Sequence, residues 1–505
     1  MPTRAALPAK ASALFVLAAA SACRTGPKAA PAPPPPPRIS QAVLLDGRPF
    51  PRRPGFSVEP PPALRTFHVS GNAGPGGDGS AERPWRDLAA ALHALSSGDR
   101  LIVGEGEYTE VVRVDQSCRD GTAKAPITVI FEKAEIHPSN GAVVLSVSRS
   151  FWRFERLTLD LGDRDARGFV VEGPARGVVF DRARIAGGAG TAVRVGAGAT
   201  ATTISRSSFV RGSGAVSPGG LAIAVESGSS DTRIVENAAL GRPSGAVRVG
   251  PPSGAFSGGP APRAVVIEGN TFSGSRAPAV LVTEGTEVRI AANTILCDRR
   301  GLEGRGIVVE GGSAVRLEGN HVVDASVSVQ VGWREPGGTG SGRPEDVLVS
   351  RNYFERRAAE DTTGVDVEAG RDVRIANNVF EELSEALALF GAPPQTVDLV
   401  IANNLVLGAT RLAFRADGLA GVAFFTANVF GFHGPAVPAE MDGKPRDLRR
   451  LFSSRPLRGN RIVSGVAILR KDLGHIEGVE TRDAGVPVRG VAFEGAAPDL
   501  GLAER

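Results

Sequence analysis

The stretch VRIANNVF, Val373 to Phe380, begins with alternating aliphatic residues, reaches two asparagines and resumes with an aliphatic and an aromatic residue. Nearly the same phrase returns along the chain at intervals of 23 to 32 residues. A phrase that returns at a nearly fixed interval marks a repeat protein. Aligned on the last asparagine, the copies place one residue each in a column: Asn270, Asn293, Asn320, Asn352, Asn378, Asn404 and Asn428.

A weaker form of the frame continues upstream and gives about twelve coils between residues 134 and 428. Each coil holds short β-branched runs with a period of two, which predicts strands. Such a coil cannot bury its inner face alone, but it can stack in parallel on the next coil about 4.8 Å away. We therefore predict an all-β, right-handed parallel β-helix of about twelve or more coils. The asparagines would form a ladder at one turn, because asparagine tolerates a left-handed backbone and its amide can pair with the next one.

The first residues have the pattern of an export signal. MPTRAALPAK is positively charged, ASALFVLAAA is apolar but too short to span a membrane, and small residues follow, so residues 1–22 are expected to be a signal peptide. The phrase ASAC is similar to the lipobox of bacterial lipoproteins, in which Cys23 would be lipidated; the alternative is ordinary secretion. Residues 23–65 contain the run PAPPPPP and are expected to be a lipid-anchored, semi-rigid linker.

The rest of the chain divides into three predicted parts. Residues 66–133 would hold an N-terminal cap and the first strands, with an amphipathic cap helix that places Leu88, Leu92 and Leu95 on one face. Residues 134–430 would hold the β-helix repeats, and residues 431–505 the last coils and an irregular C-terminal cap. Both ends of a β-helix need such covers, because unpaired strand edges invite aggregation.

The N-terminal part carries a family resemblance. FHVSGNAGPGGDGS, then ERPWRDLAAALHAL, then SGDRLIVGEGEYTE is similar to the opening of secreted bacterial β-helix proteins of the pectate-lyase type, and the closing APDLGLAER resembles their tail. The resemblance runs from about residue 66 to residue 505. It implies the fold strongly and the function weakly, since this superfamily includes lyases, hydrolases, epimerases, adhesins and proteins with no activity.

Composition excludes several classes of function. The net charge of +4 comes from interspersed charges, so neither a nucleic-acid stripe nor a membrane-binding basic tract is present in the sequence. After Cys23 only Cys118 and Cys297 remain, and we expect both to be unpaired. No lysine lies between Lys133 and Lys444, which rules out a lysine base on the coils. The six histidines have no metal-ligand spacing.

The outward face of one strand in each coil is the candidate substrate groove. With Val365 and Val367 taken as inward, we expect Asp366 to share an outward column with Ser328 and, two coils later, Arg415. Gln330 is expected in the neighbouring column, level with Glu368. Arg415 and Gln330 would contact the polymer, and Trp333, in the insertion that follows, would stack on a sugar ring. The alternative is a solvated face with mixed charges.

Asp366 and Glu368 are the predicted catalytic residues, because theirs is the coil in which both outward positions are acidic. The entering loop adds Glu360 and Asp361. Four carboxylates within nine residues, Glu360, Asp361, Asp366 and Glu368, suit Ca²⁺, which could bridge to a substrate uronate. The alternative is that Arg356, Arg357 and Arg371 neutralise a surface acid patch.

A second column contains arginines, each four residues before the asparagine position: Arg233, Arg289, Arg316 and Arg374. Stacked like charges repel unless acids interleave. We therefore expect an outward, solvated ladder compensated by neighbouring glutamates and aspartates.

Two functions follow as hypotheses. The first is a cell-envelope protein, monomeric and held at the outer membrane only by its lipid, that binds polysaccharide, with cleavage left open. The second is a non-catalytic structural or interaction protein on the same scaffold. Secretion into the medium or the periplasm is the alternative location.

Overall fold

The structure is a computed structural model of the chain. It describes residues 61–108, 112–136, 143–162, 167–210, 220–241, 244–255, 258–274, 277–297, 304–332, 343–390, 396–432, 438–453, 457–464, 469–470, 475–476, 484–493 and 497–501. The expected signal peptide, Cys23, the proline run and Trp333 lie outside these residues. None of the helices described could cross a membrane, being too short or too polar.

Three long sheets run the length of the β-helix, and each coil adds one strand to each sheet in turn. The strands of the first sheet are Arg65–Val69, Asp99–Val103, Ile127–Phe131, Trp152–Glu155, Val179–Asp181, Thr203–Ser205, Arg233–Val235, Arg263–Glu268, Thr286–Ala291, Ser313–Glu318, Glu345–Ser350, Gly370–Ala376, Thr396–Val397, Leu399–Ala402 and Val422–Thr426.

The second sheet follows the asparagine turn. Its strands are Gly106–Tyr108, Ala134–Ile136, Thr158–Asp160, Arg184–Ala186, Ser208–Val210, Ala238–Leu240, Thr271–Ser273, Thr294–Leu296, His321–Val323, Tyr353–Glu355, Val379–Glu381, Leu405–Leu407, Val429–Phe432 and Arg461–Ser464.

The third sheet carries the candidate groove. Its strands are Val112–Val114, Val143–Val147, Arg167–Val171, Val193–Val195, Ile223–Val225, Val247–Val249, Val280–Val282, Arg305–Val309, Val327–Val331, Thr363–Val367, Glu385–Leu389, Leu412–Ala416, Pro438–Met441 and Lys444–Asp447. Only the last two of these pair antiparallel. A separate antiparallel pair is Leu469–Arg470 with His475–Ile476, and the helices are Leu88–Ala94 and Leu448–Leu451.

The predicted fold, a right-handed parallel β-helix, is confirmed. Parallel registers join successive coils, and the inward residues form one continuous apolar core. Within it, equivalent residues of neighbouring coils stack, as Phe354 does on Phe380 with ring centroids 5.1 Å apart. Cys118 and Cys297 are free thiols, as expected.

The asparagine column is also confirmed as a ladder. From Asn237 onward each side-chain amide donates to the amide oxygen of the next coil, for example Asn320 to Asn352 at 2.9 Å. The column continues to Asn460, which the repeat phrase did not predict. The left-handed backbone falls on the residue before the column, such as Ala292 at φ 51° or Asn377 at φ 59°, and not on the column itself. The ladder residues therefore act through their amides.

The two ends of the chain pack on the β-helix in different ways. Asp87 caps the helix Leu88–Ala94, whose buried Leu88 and Leu92 pack with Leu95 into the first coils. Near the C-terminus, residues 484–493 and 497–501 lie along the outside of the first and second sheets. Val488 and Val491 pack on the first sheet, and Leu500 packs on the second.

The arginine column differs from the expected solvated ladder. Arg316 and Arg374 are buried, and both bind the buried carboxylate of Asp346. Arg374 also donates to the carbonyl oxygen of Arg489 in the C-terminal segment at 2.8 Å. Arg289 shows the expected pattern, lying 3.1 Å from Glu268 and 3.3 Å from Glu318, and Arg374 has the expected neighbour Asp372 at 3.2 Å.

Candidate functional site

The strand Thr363–Val367 positions the candidate site. Val365 and Val367 are fully buried in the core, so the alternation of a β-strand turns Asp366 outward. Glu368 follows directly, and its backbone N–H donates to the carbonyl oxygen of Val331 at 2.9 Å. The sequence pattern therefore placed both carboxyl groups on the outer side of the third sheet correctly.

The register corrects the predicted place of Gln330. Gln330, Asp366, Ala388 and Arg415 are partners on four successive strands, so Gln330 is the direct neighbour of Asp366 and is not level with Glu368. Ser328 and Gln330 are both polar and have the same parity, so a period of two cannot choose between the two registers. Arg415 does lie two strands from Asp366, as expected.

Asp366 has an unusual carboxyl group. Burial, with the negative charges of Glu368 and Glu385, raises the pKa of Asp366 to about 7, while Arg415 and Arg305 oppose the rise. Within the part of the chain that the structure describes, its Oδ1 is buried and accepts no hydrogen bond, and the same holds for Oε1 of Gln330. The group is thus poised to exchange a proton near neutral pH.

Arg415 is held by a residue that sequence reasoning missed. Glu385 is fully buried and accepts two hydrogen bonds from Arg415, at 2.9 and 3.0 Å. Burial raises the pKa of Glu385, and the pairing with Arg415 opposes that rise. The guanidinium also lies 4.7 Å from the ring centre of Phe390. The sequence did contain a signal for Glu385, because an acid within the apolar strand EALAL needs a buried partner of opposite charge.

The expected calcium site is not assembled. Glu360 and Asp361 are exposed on the loop before the strand, and Asp361 lies 3.9 Å from Arg411. In the described ranges no three His, Cys, Asp or Glu side chains are grouped so that they could hold a metal ion. Glu360 and Asp361 belong to the loop, whereas Asp366 belongs to the strand and Glu368 follows it, so closeness in sequence does not group the four carboxylates around one point.

The alternative account of an arginine-neutralised patch is not supported by the contacts. Arg356 donates to the carbonyl oxygen of Glu382, Arg357 pairs with Glu355 at 2.9 Å, and Arg371 lies 3.8 Å from Glu345. These arginines therefore contact groups other than the four carboxylates of the predicted acid patch. The site that remains consists of Gln330, Asp366 and Glu368, with Glu385, Arg415 and Phe390 beside them.

Comparisons with known proteins agree with this fold. The family described as a right-handed beta helix region matches residues 257–410, which include the candidate site except Arg415. No curated protein matches the chain by sequence. A solved structure of a PL6 family alginate lyase, AlyGC, is similar with a TM-score of 0.54 at 15% identity. That match covers 82% of this chain and 56% of the alginate lyase, so this chain spans little more than half of its length.

Two weaker structural matches are a second polysaccharide lyase and a surface adhesin. A rhamnogalacturonan lyase has a TM-score of 0.43 at 12% identity, covering 59% of this chain and 84% of that one. PfbA, a surface adhesin of Streptococcus pneumoniae, has a TM-score of 0.47 at 13% identity, covering 71% and 88%. Likeness at such identities shows the fold alone. The resemblance to pectate-lyase-like β-helix proteins, predicted from the sequence, is confirmed at that level.

Proposed function

We propose that this protein binds a polysaccharide along the outward face of the third sheet and cleaves it with Asp366 as the proton-transferring group. The single observation that supports this is the Asp366 carboxyl group, which is outward-facing, has an unpartnered oxygen and has a pKa near neutrality. General acid–base catalysis works best with such a pKa. The fold matches, among them polysaccharide lyases, make a polysaccharide the substrate to test first.

Two reactions use such a group. In hydrolysis, protonated Asp366 would donate to the departing glycosidic oxygen while Glu368 accepts a proton from the attacking water. In β-elimination, ionised Asp366 would accept the C5 proton next to a uronate carboxylate, the C4–C5 double bond would form as the C4–O bond breaks, and the departing oxygen would take a proton from Asp366 or from water. Elimination creates an unsaturated end that absorbs ultraviolet light, whereas hydrolysis creates only a new reducing end.

The experiment incubates the chain with uronate and neutral polysaccharides and records ultraviolet absorbance, reducing ends and binding together. Asp366→Asn should lower turnover by a factor of about 10² to 10⁴ and leave binding in place. Asp361→Asn is the matched control, because it removes an exposed carboxyl group from the neighbouring loop. Equal turnover by Asp366→Asn and the parent would remove Asp366 from the mechanism.

A non-catalytic binding protein is the second candidate. The observation that favours it is the engagement of Arg415, whose guanidinium is held by Glu385 and Phe390 and so does not stand ready to neutralise a substrate carboxylate. This candidate requires polymer binding with no new ends of either kind. The same incubations therefore separate the two functions.

The location is part of the proposal. We propose export through residues 1–22, lipidation of Cys23 and a linker over residues 23–65 that holds the β-helix off the outer membrane. Mass spectrometry of the mature N-terminal peptide should find a lipidated Cys23. Cys23→Ser should move the protein from the membrane fraction to the soluble fraction.

A further inference from the structure

We infer that Phe390 and the neighbouring acids form a subsite for an uncharged sugar ring, and that this subsite disfavours a uronate. The inference rests on the proposed polysaccharide function and names its substrate class. It departs from the expectation, drawn from the sequence, that a uronate would be held here through Arg415 or calcium.

Phe390 occupies the same position on its coil as Glu368 does on the preceding coil. The N–H of Phe390 donates to the carbonyl oxygen of Val367 at 2.8 Å, and the N–H of Glu368 donates to that of Val331 at 2.9 Å. Equivalent positions on stacked coils are about 4.8 Å apart. The partly exposed ring of Phe390 therefore lies beside both acids, close enough for one sugar residue to contact all three.

Arg415 fixes this ring and does not face a ligand. Its guanidinium donates two hydrogen bonds to the fully buried Glu385 and lies 4.7 Å from the centre of the Phe390 ring. A guanidinium held at both sides supports the ring as a rigid platform. Aromatic platforms of this kind pack on the apolar face of a sugar ring, whose polar groups then point to the sides.

The polar groups around the platform accept hydrogen bonds. Asp366 and Glu368 are carboxyl groups, and the buried oxygens Asp366 Oδ1 and Gln330 Oε1 have no donor among the residues described. Sugar hydroxyls supply the O–H donors that such oxygens need. A uronate carboxylate supplies acceptors and a negative charge, and it would be repelled by the neighbouring acids.

The charges around the subsite also favour a neutral sugar over a uronate. Glu385 lies against both Arg415 and Arg411, the latter at 3.6 Å, so the positive charge on this side is already committed to a buried acid. At Asp366 the negative charges of Glu368 and Glu385 act more strongly than the positive charges of Arg415 and Arg305, so the potential at the subsite is negative even when Asp366 is protonated. Elimination requires a carboxyl or ester carbonyl next to the proton that is removed, so a neutral sugar that lacks this group would be cleaved by hydrolysis, with water as the second reactant.

The test uses two polymers with the same sugar backbone: a polygalacturonate, whose carboxylates are charged, and its fully methyl-esterified form, whose ester groups are neutral. The chain should bind the esterified polymer at least about 10-fold more tightly at low salt. Phe390→Leu should weaken binding of the esterified polymer by about 10-fold, through loss of ring packing. Phe424→Leu is the matched control, because Phe424 is 62% exposed on the first sheet, away from the site, and should bind like the parent.

The double variant Asp366→Asn with Glu368→Gln removes the negative charges and keeps the shape of both side chains. It should therefore reduce the ratio between the affinities for the esterified polymer and for the polygalacturonate. Tighter binding of the polygalacturonate by the parent would overturn the inference and leave the proposed function standing. Equal effects of Phe390→Leu and Phe424→Leu would also overturn it. Failure to bind any polysaccharide of the wider panel would instead reject the proposed function, and this inference with it.

Discussion

At the scale of single residues, the alternation along a strand predicted the outward direction of Asp366 but did not predict the pairing of Glu385 with Arg415. Asp366 alternates with two buried valines, so its outward direction could be predicted from the sequence. Glu385 has the same parity as the inward Leu387 and Leu389. Its partner in the structure is Arg415, 30 residues away, and the strand pattern does not identify that partner. A pairing between coils depends on the register, and the sequence leaves that register open wherever the loops vary in length.

Asp366 should make the stability of the protein depend on pH. Its folded pKa, about 7, lies above the ordinary value of 3.8, so the folded state holds the proton more tightly than the unfolded state. The resulting stabilisation is complete below about pH 4 and is lost as the pH rises through about 7. Relative to Asp366→Asn, the parent should lose of the order of 4 kcal/mol across that range, as measured by chemical denaturation.

The exposed loop variant Asp361→Asn serves as the control for this prediction. Its free energy of unfolding should follow that of the parent at every pH. A parent and an Asp366→Asn variant with parallel pH profiles would show that Asp366 ionises as an ordinary surface carboxyl group.

Asp346 should be essential for stability, because it is the shared counter-charge of two buried arginines. Asp346→Asn keeps the shape but leaves the buried Arg316 without its anion and Arg374 with only Asp372, at 3.2 Å, which should cost about 3–5 kcal/mol in the free energy of unfolding. The comparison variant is Glu287→Gln, whose partner Arg263 is 62% exposed at 3.0 Å, and it should cost less than about 1 kcal/mol. Similar losses for both variants would contradict this account.

At the scale of elements, the repeat phrase predicted the asparagine turn because each copy combines a strand and a ladder residue. Asn460 escaped the pattern because the phrase before it, SRPLRGN, has no alternating aliphatic run. The left-handed position escaped as well, since residues as different as Ala292 and Asn377 adopt it. Its conformation is imposed by the turn and not by the residue type.

Asn320→Ala tests the ladder. Asn320 donates to the carbonyl oxygen of Ile290 and to Asn352, and it accepts from the backbone and side-chain N–H groups of Asn293. Alanine would leave these buried partners unsatisfied and should cost about 3–5 kcal/mol in the free energy of unfolding. Asn72→Ala, at an exposed asparagine of the N-terminal loop, should change it by less than about 0.5 kcal/mol.

At the scale of the whole molecule, the β-helix itself was predictable and the path of the C-terminal segment was not. Stacking repeats itself along the chain and so leaves a period in the sequence, as in residues 134–428. Residues 484–493 and 497–501 pack once, on surfaces formed by distant coils, and a contact made once leaves no period. This packing also gives Arg374 the carbonyl oxygen of Arg489 as a partner, a contact that the repeat pattern could not predict.

Deletion of residues 484–505 should therefore weaken the middle and late coils. It would expose Leu348, Val379 and Leu405, and it would remove the carbonyl partner of Arg374. We expect a lower thermal midpoint and increased binding of a hydrophobic dye, with a loss of several kcal/mol from the apolar area, at roughly 25 cal/mol per Å². Dye binding and a melting temperature equal to those of the full chain would show that the segment is dispensable.

The ladder of amides gives the β-helix a net dipole along its axis. Every Nδ2 from Asn237 to Asn428 donates toward the next coil, so the amide dipoles add along the axis as peptide dipoles do in a helix. The negative pole lies at Asn237, where the N–H of Ser207 meets it at 2.9 Å, and the positive pole lies at Asn460. The two ends of the ladder therefore need different partners: the coil before Asn237 supplies a donor, the N–H of Ser207, and the coil after Asn428 supplies an acceptor, Oδ1 of Asn460.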